Sequence, residues 1–157
     1  MATLLDRADV LIAGGSFAGL AAARALGRAA LIVDRAPLGS GQTSACGAPV
    51  SLVERMGAAS SILQRHDYLR IAVGDLSVAW PLPEPFCTFD YAAYCRLVYQ
   101  RAGATFLQAS VQGMENGWIH TSAGAIRTDL VIDATGPRSV LAGGAHRGRR
   151  VAFGLET

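Results

Sequence analysis

A glycine-rich turn set between two apolar runs fixes the start of this chain. Val10-Leu11-Ile12-Ala13 leads into Gly14-Gly15-Ser16-Phe17-Ala18-Gly19, an alanine-rich stretch follows from Ala18 to Leu26, and Leu31-Ile32-Val33 ends in Asp34. The spacing predicts strand, turn, helix and strand, the opening βαβ unit of a dinucleotide-binding domain. Gly14 and Gly19 stand where a Cβ would crowd the tight turn and the helix-to-sheet packing. The unpaired amides and the dipole at the helix start make that end a natural anion site. Asp34, twenty positions after Gly14, places a carboxylate at a strand tip, where it accepts from ribose hydroxyls and repels a 2′-phosphate. FAD or NAD is therefore favoured over NADP. Ser16 departs from the fingerprint, which has glycine there. Its Cβ could hold the phosphates off, and its hydroxyl could equally donate to one. A domain whose glycines serve packing alone would leave the position of Asp34 unexplained.

At 157 residues, 51% apolar and 17% charged, the chain is expected to form one core-rich α/β domain spanning residues 1–157. A net charge of +2 points to no strongly charged partner, and the basic run from His146 to Arg150 lacks the aromatic platforms of a nucleic-acid site. No nucleic-acid partner is expected. No secretory signal is visible and the uncharged stretch from Val10 to Ala23 is too short to span a bilayer, so a cytoplasmic protein without a transmembrane segment is expected. Cys46, Cys87 and Cys95 form no C-x-x-C pair, and His66, His120 and His146 have no metal-ligand spacing. Neither a disulfide framework nor a metal site is expected.

Further along, a Gly/Ser-rich loop from Pro37 to Gly47 precedes a short helix over Ser51–Met56, with Ser51 as N-cap and Glu54 completing a capping box. Leu69–Val73 and Leu76–Trp80 alternate around Gly74-Asp75 as a β-hairpin. The prolines at 81, 83 and 85 are expected to break any regular element. Asp90 caps a helix that runs through Arg101 and ends at Gly103. Thr105-Phe106-Leu107 reads as a third parallel strand, followed by a small antiparallel set around Val111, Trp118-Ile119 and Ala125-Ile126. Leu130-Val131-Ile132 reads as a separate buried parallel strand. Ligands in such sheets gather beyond the carboxyl ends of the strands, so Gly14, Asp34 and Gly136 are expected on one edge.

Three blocks carry a family resemblance: Gly14 to Gly19 with Asp34-Arg35; Phe89-Asp90 opening the helix before Ala102-Gly103-Ala104; and Asp129-Leu130-Val131-Ile132-Asp133-Ala134-Thr135-Gly136 followed by Pro137-Arg138-Ser139. Together they resemble the FAD-binding portion of the flavoprotein superfamily of p-hydroxybenzoate hydroxylase-type monooxygenases and geranylgeranyl reductases. The resemblance implies a Rossmann-like FAD/NAD(P)-binding domain with a parallel sheet and a small antiparallel β excursion. It implies FAD contacts from Gly14, Gly15, Ser16, Phe17, Ala18, Gly19 and Asp34, with Arg35 over the adenine or on a phosphate. Val111 would meet the adenine through its backbone, and Thr135-Gly136 would approach from the other side. Leu38-Gly39 followed by Ala45-Cys46-Gly47 looks like the reductase branch, which implies Cys46 beside the flavin ring. On chemistry alone Cys46 reads as a small buried apolar residue.

The departures are specific. Where hydroxylase relatives usually carry an arginine, this chain has Phe86-Cys87-Thr88, and the second flavin-contacting Gly-Asp motif of such families is missing. Val151 to Glu156 looks like the strand that enters a substrate domain. The expectation is therefore the FAD-binding part of a longer oxidoreductase, with a C-terminal substrate domain missing, an apolar small-molecule substrate, and NAD(P)H or another electron donor. Geranylgeranyl reductase-like hydride transfer leads, with a hydroxylase, a non-catalytic nucleotide-binding fragment and an NAD-linked dehydrogenase fragment as alternatives. No catalytic residue is assigned.

Overall fold

The computed structural model describes residues 6–42, 44–136 and 139–141. In chain order the strands are β1 (Arg7–Ala13), β2 (Ala30–Asp34), β3 (Gly47–Pro49), β4 (Ile62–Val73), β5 (Leu76–Phe89), β6 (Thr105–Gln108), β7 (Val111–Glu115), β8 (Trp118–Thr121) and β9 (Gly124–Asp133). The helices are α1 (Phe17–Leu26), α2 (Val50–Arg55) and α3 (Tyr91–Ala102). Among the described residues one sheet runs β6-β2-β1-β9-β8-β7 and a second β3-β5-β4. The expected α/β architecture is present, with β6, β2, β1 and β9 parallel and β7 and β8 antiparallel.

The apolar runs form central strands because both faces are covered. Successive residues point to opposite sides, so Ile12 and Ile32 join Leu20, Val53, Cys95 and Val98 on one face. Leu11, Leu31 and Val33 join Ile119 and Ile126 on the other. α3 starts where expected, because Asp90 Oδ1 accepts from the Ala93 amide at 2.6 Å, and it ends on Gly103 at φ +68°. No helix among the described residues is long and apolar enough to cross a membrane.

Five details differ from the sequence reading. The two strands expected around Ala125-Ile126 and Leu130-Ile132 are one, β9, which pairs antiparallel with β8 over Gly124–Arg127 and parallel with β1 from Arg127 to Asp133. Leu130 on it is 54% exposed rather than buried, since α1 packs on β1 and β2. Helix α2 is preceded by Pro49 and has no capping box: the Ser51 hydroxyl donates to Glu84, and Glu54 accepts from Arg65 at 2.9 Å. The prolines do not break β5. Its register with β4 jumps from Tyr68↔Pro81 to His66↔Phe86, so the residues between lie in a bulge, where a missing N–H removes no ladder bond. β3, expected as the end of a loop, pairs with β5 through Phe86, Cys87 and Thr88.

The hairpin is longer than its sequence signal and carries an unusual face. The pairs Val73↔Leu76, Ile71↔Val78 and Leu69↔Trp80 lie on one side of the ribbon by the two-residue period. All six side chains are large, apolar and between 52% and 78% exposed.

Candidate functional site

The carboxyl ends of β1, β2 and β9 meet at one edge. Gly14 leaves β1 at φ +106°, its amide donating to the Val33 carbonyl at 2.8 Å, while the Ala134 amide donates to Ala13 at 2.8 Å. A Cβ on Gly14 would fall on the Ala134 carbonyl, and one on Gly19 would fall on the Gly14 carbonyl. The two glycines therefore hold the turn, the helix and β9 at backbone contact.

Asp34, at the tip of β2, braces the loop. Its Oδ2 accepts from the Gly15 amide at 2.7 Å and its Oδ1 from the Ala36 amide at 3.0 Å. A carboxylate has about four lone-pair sites, so each oxygen can still accept from a ligand hydroxyl. Ser16 is the N-cap of α1, yet its side chain makes no cap bond. Its Oγ accepts instead from the Tyr91 hydroxyl at 3.0 Å. Burial pushes the Tyr91 hydroxyl above its ordinary pKa, with the Ser16 bond drawing it the other way.

On the opposite wall Asp133 organises the end of β9. It accepts from the Thr135 amide at 3.0 Å, the Thr135 hydroxyl at 2.5 Å, the Ser139 hydroxyl at 3.0 Å and the Leu141 amide at 2.9 Å. Burial acts to raise its pKa, and these hydrogen bonds outweigh that, holding it below the ordinary value. Asp133 thus fixes Thr135 and Gly136 at the cavity edge.

Between these walls lies a cavity of about 850 Å³, within the range of small-molecule and cofactor sites. Gly14, Gly15, Ser16, Phe17, Ala18, Asp34, Arg35, Val111, Thr135 and Gly136 all line it. Gly19 does not line it and sits behind the turn as a packing contact. Cys46 lines an adjacent cavity of about 470 Å³ with Leu63, Thr88 and Phe89. The two cavities share Gly39, Gly41 and Tyr91. Cys46 is buried and packs with the apolar cluster, its thiol donating to the Ser44 carbonyl at 3.3 Å. Pro137, Arg138, the basic run 146–150 and the segment 151–156 lie outside the described residues.

Sequence reasoning missed Tyr91, which reads there only as an apolar position of α3. A tyrosine directly after an N-cap carries no pattern of its own. Its role becomes visible only where α3 crosses the start of α1, with the Tyr91 ring edge-on to Phe17 at 5.3 Å.

No family model and no curated protein matches the chain. Solved structures do. The flavin-dependent brominase Bmp2 is 14% identical, with 85% of this chain and 40% of that one covered at a TM-score of 0.69. PqsL of P. aeruginosa, in complex with 2-aminobenzoylacetate, is 19% identical, with 85% and 44% covered at 0.67. L-proline dehydrogenase from P. horikoshii is 15% identical, with 93% and 58% covered at 0.67. The chain therefore spans 40% to 58% of the length of these three structures. The likeness is one of fold, and it gives this chain the Rossmann-like α/β architecture that a flavin-dependent enzyme also uses.

Proposed function

We propose that this chain is the FAD-binding portion of a flavin-dependent oxidoreductase. The observation that carries the reading is the convergence of the Gly14 turn, Asp34 and Thr135-Gly136 on one cavity. The residues fit the dinucleotide: glycines whose Cβ positions are already filled by backbone, helix-start amides without a side-chain cap, and a carboxylate at the strand tip. In this reading the turn from Gly14 to Ala18 holds the pyrophosphate, with Gly19 holding the turn from behind. Asp34 takes the ribose hydroxyls and disfavours a 2′-phosphate. Arg35 and Val111 border the adenine end, and Thr135-Gly136 close the opposite side. Bound flavin would supply hydride transfer, the protein contributing binding and orientation.

The finer reading is a geranylgeranyl reductase-like enzyme acting on an apolar substrate. It assigns the substrate to the second cavity, lined by Cys46, Leu63, Thr88 and Phe89 and continuous with the first site through Gly39, Gly41 and Tyr91. A monooxygenase is the second reading, favoured by the fold likeness to a 2-methyl-3-hydroxypyridine-5-carboxylic acid oxygenase. After reconstitution with FAD and desalting, the protein is expected to keep the visible absorbance of bound flavin. A colourless protein would sink the proposal. Reoxidation of the bound, reduced flavin in air then separates the two enzyme readings, slow for the reductase and fast for the oxygenase.

The open ribbon supports the reading that these 157 residues are one part of a longer enzyme. A contiguous apolar face of this size marks a contact surface. Trp80 on it is 65% exposed and reports on cover. In a Trp118→Phe variant, its emission is expected at the long wavelengths of a hydrated indole, shifting shorter when a substrate-domain partner is supplied. Emission already at short wavelength in this chain alone would show the face covered without a second part.

A further inference from the structure

We propose that Tyr91 is a positioning residue of the pyrophosphate site, acting through Ser16. The inference rests on the FAD reading above and concerns the one position where the turn departs from its fingerprint. An N-cap serine ordinarily turns its oxygen onto the second or third amide of its own helix. Ser16 has the backbone of an N-cap, with φ −91° and ψ −162°, and does not do so. The hydroxyl of Tyr91, 3.0 Å away, donates to its Oγ and keeps that oxygen off the first-turn amides of α1.

Two consequences follow from hydrogen-bond valence. The amides that a serine cap would occupy stay available to a ligand in the cavity that Ser16, Phe17 and Ala18 line. A hydroxyl that accepts one bond also keeps its own proton to donate, and donates more strongly when it is itself a bond acceptor. Tyr91 to Ser16 to ligand oxygen is then a directed chain, and the side chain that replaces the middle glycine contributes to binding. Tyr91 is well held for this. Its ring meets Phe17 edge-on at 5.3 Å, and the first turn of α3 presses on Gly39, where a Cβ would lie 2.9 Å from the Ala92 Cα. Tyr91 also lines both cavities.

The test measures dissociation constants for FAD, ADP and adenosine in the unchanged protein and in Tyr91→Phe, Ser16→Ala, Ser16→Gly and the Tyr91→Phe/Ser16→Ala double variant. Tyr91→Phe keeps the ring and its packing. It is expected to weaken FAD and ADP about tenfold, the scale of one hydrogen bond to a charged group, and to leave adenosine, which has no phosphate, unchanged. Because Tyr91 acts through Ser16, the double variant is expected to bind no more weakly than Ser16→Ala. If the unchanged protein binds FAD and ADP, any of three results overturns the inference alone: Tyr91→Phe without effect, adenosine weakened equally, or Ser16→Gly tighter than the unchanged protein. If it binds neither, the FAD reading fails and the inference with it.

Discussion

Gly14→Ala is expected to cost about 2–6 kcal/mol of folding stability, combining roughly 1–3 kcal/mol of backbone strain with a similar overpacking penalty. The residue sits at φ +106°, a conformation that side-chain-bearing residues rarely adopt, and its Cβ would fall on the Ala134 carbonyl with the Thr135 amide 3.2 Å away. Neither neighbour can give way cheaply. The Ala134 amide is bonded to Ala13 and the Gly14 amide to Val33, each at 2.8 Å, so relief in one place breaks a ladder bond in another. Gly136 supplies an internal control. It too has positive φ, at +80°, but nothing among the described residues lies within 4 Å of its Cβ position, so Gly136→Ala should cost only about 1–2 kcal/mol. Urea unfolding of the two variants checks this. Equal, mild effects would show that the turn does not press on β9 as described.

Asp34→Ala is expected to weaken FAD binding by about 1–3 kcal/mol, roughly fivefold to a hundredfold, as charge-assisted hydrogen bonds are lost. Two losses combine in that number. The carboxylate would no longer accept from the ligand, and the Gly15 and Ala36 amides that it now braces at 2.7 and 3.0 Å would be released. Asp34→Asn separates them, since the amide oxygen keeps one brace while the charge is gone. Its affinity for FAD should fall between those of the unchanged protein and Asp34→Ala. Loss of the charge should also improve NADPH binding relative to NADH, because a 2′-phosphate would no longer face a carboxylate. FAD affinity unchanged in Asp34→Ala would remove this residue from the site.

Most of the site edge was legible in the chain because its signals are local. Gly14, Gly19 and Asp34 are read from a backbone rule and a spacing, and the structure places Gly14 and Asp34 on the cavity with Gly19 directly behind the turn. The ends of β1, β2 and β9 meet because their apolar runs pair in parallel, buried for β1 and β2 and more open for β9, where Leu130 is exposed. What escaped depends on distant partners. Ser51 satisfies every local condition for a cap, but Glu84, far along the chain on β5, takes its hydroxyl. The prolines of β5 are breakers by local chemistry, yet Pro81 pairs with Tyr68, and the bulge opposite β4 makes room for Pro83 and Pro85. Tyr91 looks like any core position of α3 until the fold sets its hydroxyl against Ser16. Cys46 is buried in the apolar cluster, as its chemistry alone suggests, and also lines the second cavity.

In the proposed function, the cavity beneath the Gly14 turn is a flavin dinucleotide site. Equilibrium titration of the purified chain with FAD, NADH and NADPH side by side, followed by flavin or nicotinamide fluorescence, tests it most directly. Saturable binding of FAD, tighter than NADH and with NADPH weakest, is the predicted result. No saturable FAD binding, or NADH bound more tightly than FAD, would contradict it.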